Sequence, residues 1–171
     1  MAPDITHIPA FADDSDSLFD MILHAADFDR SMKARWTASF GKPYDYNGMT
    51  YPAIPFTDML ADLADRVAAI VGFVPNNCLV NLYHDGRSSM GYHSDNTDIL
   101  SPGTGVAIVS LGSDRTLRFK SKSDPDAIAD YSLTDGSLFY MDAAVQDHWL
   151  HSIPKSDSMS PRISLTFRSI L

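Results

Sequence analysis

From Pro75 to the C-terminus the apolar residues recur at every second position, and this period constrains the fold more than any other feature of the chain. Successive side chains of an extended backbone leave opposite faces. The run Arg162-Ile-Ser-Leu-Thr-Phe-Arg168 therefore sends Ile163, Leu165 and Phe167 one way and Arg162, Ser164, Thr166 and Arg168 the other. Strands are expected at 78–84, 90–95, 105–111, 115–120, 129–133, 137–141, 147–152 and 162–168, with Asp-Gly, Pro-Gly and Asp-Pro turn signals among the breaks. Upstream the period becomes helical. Residues 14–28 bring Leu18, Ile22 and Ala25 or Ala26 to near-helical spacing behind an acidic first turn. Thr57 opens a second helix with Leu60, Leu63, Ala64, Val67 and Val71 on its stripe and Gly72 as its stop. Short strands preceded by two helices predict a mostly-β, α+β architecture: an antiparallel sandwich or jelly roll with helices against one sheet.

A length of 171 residues suits one domain, and neither a repeat nor a shift in composition divides it. Residues 1–75 are read as helices and a lid, and 76–171 as a jelly-roll core. Within the first part, 35–55 breaks into turns and aromatics (Trp36, Phe40, Tyr44, Tyr46, Tyr51), with a hairpin signal at Asn47-Gly48, and reads as loops and short strands able to cover a cleft. The single cysteine, Cys78, can form no internal disulfide, so a reducing compartment, the cytoplasm, is expected. No signal peptide and no membrane-spanning stretch is read, and a monomer is expected. The formal net charge of −9 argues against a long nucleic-acid footprint but leaves room for a local basic patch.

Two groups of residues carry chemistry. His93 and Asp95 stand at i and i+2, so on a strand both leave the same face. With a second histidine from later in the chain, His148 or His151, they form the two-nitrogen, one-oxygen set of non-haem Fe(II) oxygenases. Arg162 and Arg168 share a strand face with Cα atoms about 20 Å apart. Two such arms can lean inward and grip opposite ends of a dicarboxylate. Alone, His-x-Asp is a common accident, and two arginines on an isolated strand more often guard a solvated edge. Their combination is what points to a site.

In this combination the chain resembles the AlkB-like Fe(II)/2-oxoglutarate dioxygenases. The resemblance rests on Asn81-Leu82-Tyr83, His93-Ser94-Asp95, Ser110-Leu111-Gly112 followed by Arg115 to Phe119, Gly136-Ser137-Leu138, His148-Trp149-Leu150-His151-Ser152 and Pro161-Arg162 through Arg168. It extends upstream to Arg35 through Phe40-Gly41 and to Tyr44 through Gly48, most like the branch that repairs nucleic acids. It implies Fe(II) held by His93, Asp95 and His151, with O2 and 2-oxoglutarate as co-substrates. It selects His151 over His148, which on a strand would face the other way. It implies Arg162 at the far carboxylate of 2-oxoglutarate, Arg168 and Asn81 near its chelating end and a hydrogen bond from Tyr83, with Ser164 and Thr166 on the same wall. The activity implied is oxidative dealkylation of an N-alkylated base, with Tyr44, Tyr46, Phe40, Arg35 and Thr97 at the substrate.

The chain departs from that pattern in places. Thr97 stands where repair members carry an acid that reads the damaged base, and Asp98 would be out of phase with it on a strand. Ser164 replaces a common asparagine, and Phe40 stands where tyrosine is commoner. Three functions are weighed. The first is demethylation of single-stranded or short nucleic acid, with Arg30, Lys33, Arg35, Lys42 and Arg87 as phosphate contacts. The second is oxidation of a small molecule such as a modified nucleoside. The third, a non-catalytic binding module, is disfavoured because the ligand set and both arginines are present.

Overall fold

The computed structural model describes residues 1–43 and 52–171. In chain order its elements are β1 (Ile5–Ile8), α1 (Ser15–Ala25), β2 (Trp36–Gly41), α2 (Asp58–Val71), β3 (Asn77–Tyr83), β4 (Met90–His93), β5 (Val106–Gly112), β6 (Arg115–Ser121), β7 (Ile128–Leu133), β8 (Leu138–Met141), α3 (Ala143–His148), β9 (Trp149–Ile153) and β10 (Arg162–Arg168). Among the described residues the strands form two antiparallel sheets, a larger one in the order β1-β8-β5-β10-β3-β2 and a smaller one in the order β4-β9-β6-β7. This is the jelly roll expected from the period-two pattern, with α1 and α2 against the larger sheet.

The alternation along each strand sorts side chains into two cores. On the helix side Leu18 and Ile22 of α1 and Leu60, Leu63, Ala64 and Val67 of α2 pack with Val80, Leu82, Val109, Ile163, Leu165 and Phe167. Between the sheets Tyr83, Ile108, Leu117, Phe119, Phe139 and Trp149 form the second core. β10 lies between β5 and β3, so both of its edges are paired. A solvated edge strand is thereby excluded. Its polar face, Arg162, Ser164, Thr166 and Arg168, is buried on the between-sheet side.

Local chemistry sets the helix ends. The Thr57 hydroxyl accepts the Leu60 N–H at 3.2 Å, and Gly72 closes α2 in the left-handed region at φ 85°. Asp14 precedes α1 but makes no side-chain cap there; its carboxylate takes both ends of the Arg66 guanidinium at 3.1 and 3.0 Å, tying α1 to α2.

Several expectations change. The strand expected at 90–95 stops at His93, and that expected at 147–152 begins only at Trp149, because 143–148 winds into α3, capped by Asp142. β1 was not foreseen: four residues at a sheet edge carry too little periodicity. The 1–75 part is not only helices and lid, since β1 and β2 both join the larger sheet. Tyr44, Tyr46, Tyr51 and the Asn47-Gly48 hairpin signal lie outside the described residues.

Two substitutions test the helix layer. Thr57→Ala removes the α2 cap and should lower unfolding free energy by about 1 kcal/mol. Leu63→Ala, which empties a fully buried position, should cost about 2–5 kcal/mol in urea unfolding.

Candidate active site

The pairing of β4 with β9 places His93 directly opposite His151, their ring centroids 4.3 Å apart. β9 also pairs with β6, which sets Phe119 opposite His151 on its other side. Asp95 follows two residues after β4 ends, so it reaches the histidines from a loop and not by strand alternation. One donor atom from each of His93, Asp95 and His151 lies within 4.8 Å of the others, a spacing that can hold a metal ion. His93 Nδ1 is 2.9 Å from the Gly91 carbonyl. Donation of its proton there leaves Nε2 free to face Asp95, 3.5 Å away.

The charges agree with this arrangement. Burial works to raise the Asp95 carboxyl, but Arg168, 3.4 Å from Oδ2, together with both histidines holds it well below the usual carboxylate range. Burial pushes His151 down to about 4, Asp95 opposing it only in part, so its ring is neutral and its lone pair available. Burial also acts against the charged form of His93, yet the bonds to Asp95 and to the Gly91 carbonyl outweigh it and raise that ring.

The opposite wall of the cavity is β10. Arg162 is 1% exposed; its Nη2 donates to Ser110 Oγ at 2.9 Å, and its guanidinium lies 5.1 Å from the Tyr83 ring centre. Its Nε and Nη1 have no hydrogen-bond partner, and no ion pair to Arg162 occurs among the described residues. A buried cation with donors to spare is costly unless an anion completes it. The two ends of the cavity thus suit different guests, a metal ion at one and a carboxylate at the other.

Residues 21–168 match the 2OG-Fe(II) oxygenase superfamily. The chain belongs to this family. It is 35% identical over 139 residues to human (Homo sapiens) DNA oxidative demethylase ALKBH2, which covers 77% of this chain and 53% of the relative. It is 33% identical over 147 residues to human alpha-ketoglutarate-dependent dioxygenase alkB homolog 3, covering 80% of this chain and 51% of that protein. The matches therefore span about half the length of those relatives. The solved structure of OsALKBH1 superposes with a TM-score of 0.71 at 18% identity over 99% of both chains, a likeness of fold. As a 2OG-Fe(II) oxygenase the chain works with Fe(II), 2-oxoglutarate and O2, and the donor set and the unpaired Arg162 fit that metal and that dicarboxylate.

The other expected site residues fall into two groups. Asn81, Tyr83, Ser164, Thr166 and Arg168 line the same cavity as the triad and Arg162. Arg35 does not lie on the surface for phosphate: it is 5% exposed and donates to Asn81 Oδ1 at 3.1 Å and to the Ser89 carbonyl at 3.2 Å. Phe40 is 2% exposed in the helix-side core, in register with Cys78, and so cannot touch a substrate in the cavity. Thr97 and Asp98 lie in a turn, not on a strand; Thr97 is half-buried and its carbonyl accepts the Leu100 N–H, while Asp98 is exposed. His148 ends α3 and is exposed, so it is no ligand, for a reason other than strand alternation. His84 is exposed beside Trp36, as expected. Two contributors were missed. Ser110 sits opposite Ser164 in register, and a lone polar residue in the apolar run of β5 was its signal. Gln146 left no signal, because its helix was not foreseen.

The shift of His151 has a measurable consequence. Its folded value lies below its ordinary 6.5, so unfolding takes up a proton and stability is lost as pH falls from about 6.5 to about 4. His93, shifted upward, contributes fully below 6.5 and adds no slope there. Metal-free protein should lose up to about 1.4 kcal/mol per pH unit through this window because of His151. His151→Leu should flatten the slope in urea unfolding at stepped pH; an unchanged slope would contradict the burial argument.

Proposed function

We propose that the chain is an oxidative demethylase of N-alkylated bases in single-stranded or short nucleic acid. The observation that carries this reading is that every residue lining the cavity falls inside residues 21–168, the segment matched to the 2OG-Fe(II) oxygenase superfamily, in a chain 35% identical over 139 residues to a DNA oxidative demethylase. When bound, Fe(II) with O2 and 2-oxoglutarate supplies the oxidation: one oxygen goes to the N-alkyl carbon, the other to succinate as CO2 leaves, and the hydroxylated carbon departs as aldehyde. The protein's part is to bind, orient and keep water out. His93, Asp95 and His151 hold the metal. Arg162, with Ser110 and Tyr83 behind it, takes the far carboxylate of 2-oxoglutarate, while Arg168 neutralises Asp95 beside the chelating end. Met90, Ile108, Leu117 and Ile153 line the cavity with apolar surface.

With Arg35 withdrawn, the exposed cations Arg30, Lys33, Lys42 and Arg87 are the phosphate contacts of this reading; Arg87 already pairs with Asp85 at 2.9 Å. Tyr44 and Tyr46 supply the surface for an extruded base. The chain acts as a monomer in the reducing cytoplasm, in keeping with its lone buried thiol. No helix among the described residues is long and apolar enough to cross a membrane. A second reading, oxidation of a small molecule, is favoured by Thr97 at the base-reading position and by the net charge of −9.

The deciding assay supplies Fe(II), 2-oxoglutarate and ascorbate with single-stranded oligonucleotides carrying 1-methyladenine or 3-methylcytosine. Formaldehyde stoichiometric with succinate, from the methylated strands only and falling steeply with salt, is the expected result. Succinate without formaldehyde, indifferent to oligonucleotide and salt, would overturn it in favour of a small molecule. Arg162→Ala should raise the KM for 2-oxoglutarate about 10- to 100-fold, the loss of one charge-assisted contact.

A further inference from the structure

Asp95 is the one triad residue outside a strand. β4 ends at His93, so the Asp95 N–H has no place in the sheet's hydrogen bonding. It is donated instead to the side-chain carbonyl of Gln146, Oε1, at 2.8 Å. Gln146 is 2% exposed on α3, and its amide nitrogen faces Met141 Sδ at 3.6 Å. Its own backbone carbonyl accepts the Lys122 ammonium at 2.7 Å, which anchors this end of α3 to the chain after β6. One residue before Asp95, the Ser94 hydroxyl donates to the Trp149 carbonyl at 3.0 Å, two residues before His151. The loop carrying the carboxylate is thus tied to α3 and to the start of β9, the strand that carries the second histidine.

We propose that Gln146 is a positioning residue of the metal centre: its buried side-chain carbonyl fixes the Asp95 backbone so that the carboxylate meets the two imidazoles. A side chain as short as aspartate can reach a common point with His93 and His151 only if its backbone is fixed, and no ladder fixes it here. Buried glutamine is an expensive choice for a core position unless both ends of the amide are used. Here the oxygen is committed to a ligand's backbone and the nitrogen to a sulfur, so the residue serves the site and not solvent. Partners that orient metal ligands typically change metal affinity 10- to 100-fold when removed. The inference rests on the metal reading of His93, Asp95 and His151, and the test separates the two.

The measurement is the Kd of purified, metal-free full-length protein for Mn(II) by isothermal titration. Gln146→Met keeps the length and apolar bulk of the side chain but has no oxygen to accept the N–H; Gln146→Glu keeps an acceptor. Asp95→Ala serves as the ligand control. The expected result is a Kd raised about 10- to 100-fold in Gln146→Met and restored toward wild type in Gln146→Glu. A purely structural role would lower the unfolding midpoint of the metal-free protein and leave Kd unmoved, and wild-type Kd in Gln146→Met with binding abolished in Asp95→Ala overturns the proposal. Wild-type binding in Asp95→Ala removes the metal reading and this inference with it. Should Gln146→Met fail to fold, Gln146→Asn withdraws the amide by one methylene and is expected to weaken Mn(II) in the same way, with an unchanged Kd again overturning the proposal.

Discussion

Two guanidinium groups buried on one face of β10 set the terms for the rest of the cavity. Arg162 and Arg168, 1% and 3% exposed, place positive charge between two sheets where water cannot screen it. Such a charge is tolerable only if something in the fold or in a ligand answers it. At Arg168 the answer is internal: Asp95 is drawn toward it and held ionised, and an ionised Asp95 is what makes two neighbouring histidines into a metal site. At Arg162 Ser110 accepts from only one nitrogen, and the donors left over suit a carboxylate, the role proposed for that group. The metal end and the dicarboxylate end are thus consequences of one strand with a polar inner face.

The sheets convert that strand into a site by register. β10 runs between β5 and β3, which brings Ser110 opposite Ser164 and Asn81 opposite the same residue on the other side. On the smaller sheet the β4–β9 pairing alone brings His93 to His151. A slip of one residue in either pairing would turn the site's side chains away from the cavity. α1 and α2 never approach the chemistry, unlike α3, which reaches it through Gln146. The first two cover the other face of the larger sheet, where Ile163, Leu165 and Phe167 keep β10 from reversing.

Much of this was legible because it is written in period two. The alternation of 162–168 separates core from cavity, and the bounds of α2 follow from Thr57 and Gly72. Spacing alone brought His93 and Asp95 to one point, though for an incomplete reason, since Asp95 leaves the strand. What stayed hidden depends on tertiary packing. Arg35 reads as a surface cation until β2 pairs with β3 and its arm turns toward Asn81. Phe40 has the strand parity of Trp36 and Ala38, but only the register with Cys78 tells that this parity faces the helices. α3 is six residues long, too short for a helical period, and with it Gln146 escaped notice.

That the metal and the dicarboxylate share one cavity can be decided by 2-oxoglutarate titration under anaerobic conditions, with and without Mn(II), on wild-type and His93→Ala protein. Shared occupancy predicts 2-oxoglutarate affinity at least about tenfold higher with metal in the wild type, the usual size of coupling between adjoining ligands, and no such gain in His93→Ala. Equal affinity with and without metal in the wild type would contradict it, because the arginine wall and the triad would then be separate features.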